Sequence, residues 1–165
     1  TDVPPVSRHS FVVASLAQTE NLLSRMPDEV YHLIFAEIAD ATNAGESVDQ
    51  IARRVDDVLT WSGTYWPGRA RNIAVTETTR AYGAGTLAAG MEQSRLTGRL
   101  LRKQWMTEVD MHVRDSHHEA HRQVRDLSMP FDVGGIPLMF PGDPLGPADE
   151  VCGCRCDLVI LNEGV

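Results

Sequence analysis

The chain has 165 residues, 42% of them hydrophobic, with a formal net charge of −8 and a pI near 5.1. That length supports one domain, or one domain with a helical extension, and the apolar content is enough for a packed core. The acidic balance excludes a nucleic-acid binder that works by bulk charge, and no apolar run approaches the ~20 residues that span a bilayer. The opening residues carry no signal-peptide pattern, and Thr1 in place of an initiator methionine reads as a processed or excised piece of something longer.

The N-terminal two-thirds reads as helical. Phe11, Val12, Leu16, Leu22 and Leu23 recur at helical spacing across residues 6–25. Pro27 suits a first turn followed by Asp28 and Glu29. Val30, Leu33, Ile34 and Ile38 then mark one apolar face, closed at Gly45. Ser47 with Gln50 three residues on predicts a capping box ahead of Ile51, Val55, Val58 and Leu59. Gly63 and Pro67 punctuate the next boundary, where Trp61, Tyr65 and Trp66 make either a partner-contact surface or plain core. From Gly68 to about Ser94 the pattern predicts an Ala-rich helix containing Ile73, Ala74, Glu77, Ala81 and Leu87. Gly83, Gly85 and Gly90 each weaken that helix by roughly 1 kcal/mol relative to Ala, so they either allow close packing or mark an earlier end.

After Gly98 the pattern changes. Leu100 to Val109 reads as an extended segment centred on Trp105, and Asp115 to Leu127 as a short polar helix with Ser116 as one N-cap. Met129 to Phe140 reads as a hairpin turning at Gly134-Gly135. Three prolines and two glycines make Pro141 to Pro147 irregular, with Asp143 positioned to accept backbone hydrogen bonds in its turn. Cys154 to Leu161 reads as a closing strand. The expected fold class is α+β, a helical N-terminal two-thirds followed by a small antiparallel β unit with a short helix.

Four of the six histidines and all three cysteines lie between Trp105 and Cys156. Cysteines at i, i+2 and i+4 do not make a disulfide framework; reduced thiols are the simple reading and metal ligation the sharper one. His117 and His121, four apart, share a helix face, and Cys154 and Cys156, two apart, share a strand face. Together they form a His2Cys2 set of the tetrahedral kind that zinc takes. The alternative is that His117 bonds a carboxylate such as Asp110 while the cysteines pack as small hydrophobes. Glu77, Arg80, Asp110, Arg114 and His117 form a second set, read as a structural polar cluster in which an Arg fork locks the long helix to the β unit. A catalytic reading would take His117 as general base, oriented by Asp110, with Ser116 or Cys154 as nucleophile. Neither nucleophile sits in a recognisable elbow, so no catalytic residue is assigned.

Three ordered segments carry a family resemblance. The first runs Arg69-Ala-Arg-Asn-Ile-Ala-Val-Thr76-Glu77-Thr-Thr-Arg80-Ala81-Tyr82 into small residues. The second is Trp105, then Asp110-x-His112-Val113-Arg114-x-x-His117 and His121. The third is Phe140-Pro141-Gly142-Asp143-Pro144, closed by Cys154-Arg155-Cys156. From about Arg69 to Ile160 the chain resembles the phage head morphogenesis family, the Mu F-like minor head proteins. It departs from the family pattern at Val75 and His112, where Arg is usual, and at Gly153, where Asn is common; Cys152 is an extra thiol. The resemblance implies a minor head protein acting in capsid or procapsid assembly near the portal through protein–protein contacts. Its expected partners are portal, major capsid or scaffolding proteins, with no membrane and no strong nucleic-acid binding. Its expected location is the phage head interior, after assembly in the host cytoplasm. Residues 1–66 are then a helical extension and 67–165 the Mu F-like domain. The rival reading is a metal-dependent hydrolase or nuclease using His117 with Asp110.

Overall fold

The computed structural model describes residues 28–62, 69–108 and 110–162. The helix expected over 6–25 and the pair Tyr65 and Trp66 lie outside those residues. Three helices come first: α1 (Asp28–Asn43), α2 (Val48–Trp61) and α3 (Arg69–Thr97). Helix α1 buries Val30, Tyr31, Ile34, Phe35, Ile38 and Ala41, while Leu33 turns outward. Helix α2 starts at the expected capping box: the Ser47 hydroxyl accepts from the Gln50 amide, and the Gln50 side chain accepts from the Ser47 amide at 2.8 Å. Its buried residues Ile51, Val55 and Leu59 recur every four positions and pack against α1 and the start of α3, where Ala70, Ile73 and Ala74 close this first core.

Helix α3 runs unbroken for 29 residues, roughly 43 Å at 1.5 Å per residue. It passes through all three of its glycines, so none of them ends it. A Cβ built on Gly83 would lie 2.7 Å from the Pro141 carbonyl oxygen and 2.8 Å from Phe140 Cδ2, and one on Gly90 would lie 2.9 Å from Ile160 Cδ1. The bare positions thus admit the C-terminal unit against the second half of the helix.

That unit is the small antiparallel assembly expected. Strand β1 (Leu101–Met106) is central in a sheet of order β2-β1-β5, between β2 (Val124–Asp126) and β5 (Asp157–Asn162). Trp105 stands opposite Leu158. Strands β3 (Phe131–Val133) and β4 (Ile136–Leu138) form the hairpin, turning at Gly134 and Gly135 with φ of 61° and 85°. Two short helices, α4 (Asp115–Ala120) and α5 (Ala148–Val151), complete it. Leu87, Leu101, Trp105, Phe131, Val133, Leu138 and Leu158 fill the second core.

The polar helix expected over 115–127 is shorter: it ends at Ala120. Its cap position is Arg114, not Ser116, and no side chain caps it. Strand β1 needs a partner along its outer edge. Arg122, at φ 62°, turns the chain so that its amide reaches the Trp105 carbonyl at 2.8 Å, and residues 124–126 join the sheet.

Alternation along β1 puts Lys103 inside, between Leu101 and Trp105. Its ammonium donates to the Met139 carbonyl at 2.8 Å and sits 5.0 Å over the Phe131 ring. Burial pushes its pKa down to about 8, against the opposing pull of Asp143. An unfolded lysine titrates near ~10.4, so the unfolded chain binds more proton between the two values and stability from this group rises with pH there; below about 8 the burial cost is fully present.

Two outcomes follow. Gly83→Ala destabilises the protein by about 1–3 kcal/mol despite the better helix propensity of alanine, because Pro141 and Phe140 must shift; urea denaturation measures it, and a more stable variant would disprove the close approach. Wild type gains stability relative to Lys103→Met by about 1–3 kcal/mol between pH 7 and pH 10. Denaturant titrations at both pH values read that difference, and a pH-independent gap would show that Lys103 is not charged and buried at neutral pH.

Candidate metal centre

The site forms where the turn before β5 meets α4. Gly153, at φ 67°, reverses the chain. The extended residues that follow alternate: Cys154 and Cys156 point inward and are buried, and Arg155 between them points out. Helix α4 turns His117 and Ala120 inward. His117, 2% exposed, places Nδ1 3.2 Å from Cys156 Sγ and 3.7 Å from Cys154 Sγ. The donor atoms of His117, Cys154 and Cys156 all lie within 4.8 Å of one another, so this group could hold a metal ion. The other ring nitrogen, Nε2, is 3.0 Å from Glu150 Oε2, which also accepts from the Ser116 hydroxyl at 2.9 Å. An imidazole facing ligands on one side and a carboxylate on the other is the usual arrangement of a metal-binding histidine. The ring stands edge-on to Trp105 at 5.5 Å, which fixes its plane.

The two thiols differ in charge, with the thiolate favoured at Cys156. The Cys154 thiol donates to Cys156, which draws the Cys156 pKa well down, helped by His117 and Thr107. The same bond, together with burial, pushes Cys154 up. Thiolate is the form that binds metal.

Of the expected metal set, the structure brings together His117, Cys154 and Cys156 and leaves out His121. Because α4 stops at Ala120, His121 leaves the helical phase, and its Nδ1 accepts from the Thr107 amide at 3.1 Å. The expected polar cluster separates into four. Glu77 and Arg80 form an ion pair at 2.8 Å on α3, each side chain 3% exposed, and Arg80 Nε donates to the Gly142 carbonyl at 3.3 Å. Burial raises the Glu77 pKa and Arg80 offsets part of that. Asp110 accepts from both terminal nitrogens of Arg155 at 2.8 Å, which holds its carboxyl well below the usual range. Arg114 donates to the Cys152 carbonyl at 2.6 Å. The carboxylate beside His117 is therefore Glu150, not Asp110. Nothing in the Pro147-Ala-Asp-Glu150 stretch pointed to it, since the contact spans 33 residues.

The family profile for Phage Mu protein F like proteins matches residues 33–159. The chain belongs to this family. The match takes in most of α1, all of α2 and the whole metal-capable site. The chain is 28% identical over 145 residues to minor head protein GP7 of Bacillus phage SPP1, covering 87% of this chain and 44% of that protein. It is 27% identical over 147 residues to the NAD(+)–arginine ADP-ribosyltransferase EFV of Enterococcus faecalis, covering 87% of this chain and 28% of that protein. The chain thus spans less than half the length of these relatives. No solved structure gives a significant match.

Removing one partner of the buried pair, by Glu77→Ala or Arg80→Ala, strands the other charge and costs about 3–5 kcal/mol. Asp110→Ala, at an ion pair facing solvent, leaves the transition near that of the wild type. Chemical denaturation of the three variants tests the contrast; equal losses would show that burial does not set the cost.

Proposed function

We propose that the chain is a head morphogenesis protein, a minor head component acting in capsid or procapsid assembly near the portal through protein–protein contacts. Family membership together with the likeness to GP7 over 87% of this chain carries this reading. In it the partners are portal, major capsid or scaffolding proteins, and the protein resides in the phage head interior after assembly in the host cytoplasm. The surface is compatible: Leu100 and Leu145, 88% and 87% exposed, offer apolar contacts on an otherwise acidic chain. Zinc is the ion that suits the His117, Cys154 and Cys156 donors in this reading, since two thiolates and an imidazole match its preference. The hydrolase reading loses support from the geometry, because Asp110 faces Arg155 and does not orient His117.

The test is co-production of the full chain with the portal, major capsid and scaffolding proteins of the same phage. The expected result is co-sedimentation with portal rings or procapsids, and heads of abnormal composition or number when the gene is deleted. Normal infectious heads assembled without it, and no association with any of the three proteins, would refute the reading.

A further inference from the structure

We propose that His112 supplies a fourth ligand to the His117, Cys154 and Cys156 group, closing it into a structural zinc centre that ties the loop after β1 to the start of β5. This rests on the zinc reading above and adds the residue that completes the site.

The three inner donors already have the spacing of a tetrahedral ion. A zinc about 2.0–2.1 Å from an imidazole nitrogen and about 2.3 Å from thiolate sulfurs places each nitrogen–sulfur pair about 3.5 Å apart. The two observed separations, 3.2 and 3.7 Å, bracket that value. A cavity of about 20 Å³ lies beside these donors, the size of a single ion or water, and His112 is on its wall. Two thiolates and two neutral imidazoles bring a divalent ion to zero net charge, which a site this buried requires.

The other nearby groups are committed elsewhere. Both Asp110 oxygens accept from Arg155. Glu150 holds Ser116 and the far nitrogen of His117. His121 Nδ1 accepts from the Thr107 amide. Cys152 stands outside the donor group and lines a different cavity, with Thr76 and Glu77. His112 is exposed, and among the described residues no hydrogen bond holds its ring. Its backbone is nonetheless fixed over the site: the His112 amide donates to Asp110 Oδ1 at 2.9 Å, and Asp110 is gripped by Arg155, the residue between the two cysteines. The His112 ring lies outside the 4.8 Å set that joins the other three donors, so the proposal requires this exposed side chain to turn toward them. Four protein ligands leave no open position, which makes the centre structural and not catalytic.

The test uses the reduced full chain, with zinc affinity measured by competition against a chelating dye and cobalt(II) as a spectroscopic probe. Expected are one ion per chain, thiolate charge-transfer bands and tetrahedral ligand-field bands for cobalt. His112→Ala should weaken zinc binding by at least about 10-fold, since even outer partners of a ligand are typically worth about 10–100-fold, and should change the ligand-field bands. His121→Ala should change neither. Because His112 is exposed, the metal-free variant should melt with the metal-free wild type, which separates ligand loss from misfolding. If His112→Ala keeps the wild-type affinity and cobalt spectrum, the fourth position belongs to water and the inference fails while the zinc reading stands. If the wild type binds no metal, both fall.

Discussion

The fold depends on how a stripe along α3 receives the backbone of the C-terminal unit. The segments around Gly142 and Gly153 belong to no strand, so their buried peptide groups need partners from elsewhere. Helix α3 provides them in order along one face. Thr76 accepts from the Gly153 amide at 2.8 Å, Thr79 donates to the Cys154 carbonyl at 2.6 Å, and Arg80 reaches the Gly142 carbonyl. The approach is close enough that both surfaces must be bare. Gly83 faces Pro141 and Phe140, and Gly142 in turn faces the Arg80 backbone, where a Cβ would meet the nitrogen at 2.9 Å. The roughly 1 kcal/mol that each glycine costs in helix propensity is set against this docking.

The same contact sets the phase of the cysteines. Fixing Gly153 and Cys154 on Thr76 and Thr79 decides which way the following residues point, and alternation then sends Cys154 and Cys156 to His117 and Arg155 to Asp110. Glu77 lies between the two threonines along the chain and is buried by the same packing. Arg80 serves it and the Gly142 carbonyl together, so one guanidinium satisfies a buried carboxylate and an otherwise unpartnered peptide group. The site therefore inherits its geometry from the helix, although no α3 side chain contributes a metal donor.

Most local signals in the sequence were legible, the Ser116 cap excepted, and so was the approach of His117 to Cys154 and Cys156, whereas the long-range partners of Asp110 and of His117 Nε2 were not. The capping box at Ser47, the Gly134-Gly135 hairpin and the Asp143 turn are each set within a few residues, and the structure has them; Asp143 accepts from the Met139 and Leu145 amides at 2.7 and 3.0 Å. The α+β division near Gly98 was legible because the hydrophobic period changes there. The end of α4 was not, because nothing local at Ala120 shows that β1 needs an edge partner two residues on. His121 fell out of the metal set for that reason. Asp110 with Arg155 and His117 with Glu150 span 45 and 33 residues, and only the docking on α3 brings them together. Charge type alone paired these groups wrongly.

The arrangement around His117 bears on what the site can do. A general base needs a lone pair that substrate can approach. Nδ1 of His117 faces two sulfurs, Nε2 faces Glu150, and the ring is 2% exposed against Trp105. Asp110 is neutralised by Arg155, and Cys154 and Cys156 are buried on the inner face of the turn. No member of the set therefore presents a free, accessible nucleophile or base. What the set does present is a point where α4, α5, the loop after β1 and the start of β5 meet through side chains. A cluster so placed resists separation of those segments, so these side chains hold the C-terminal unit together.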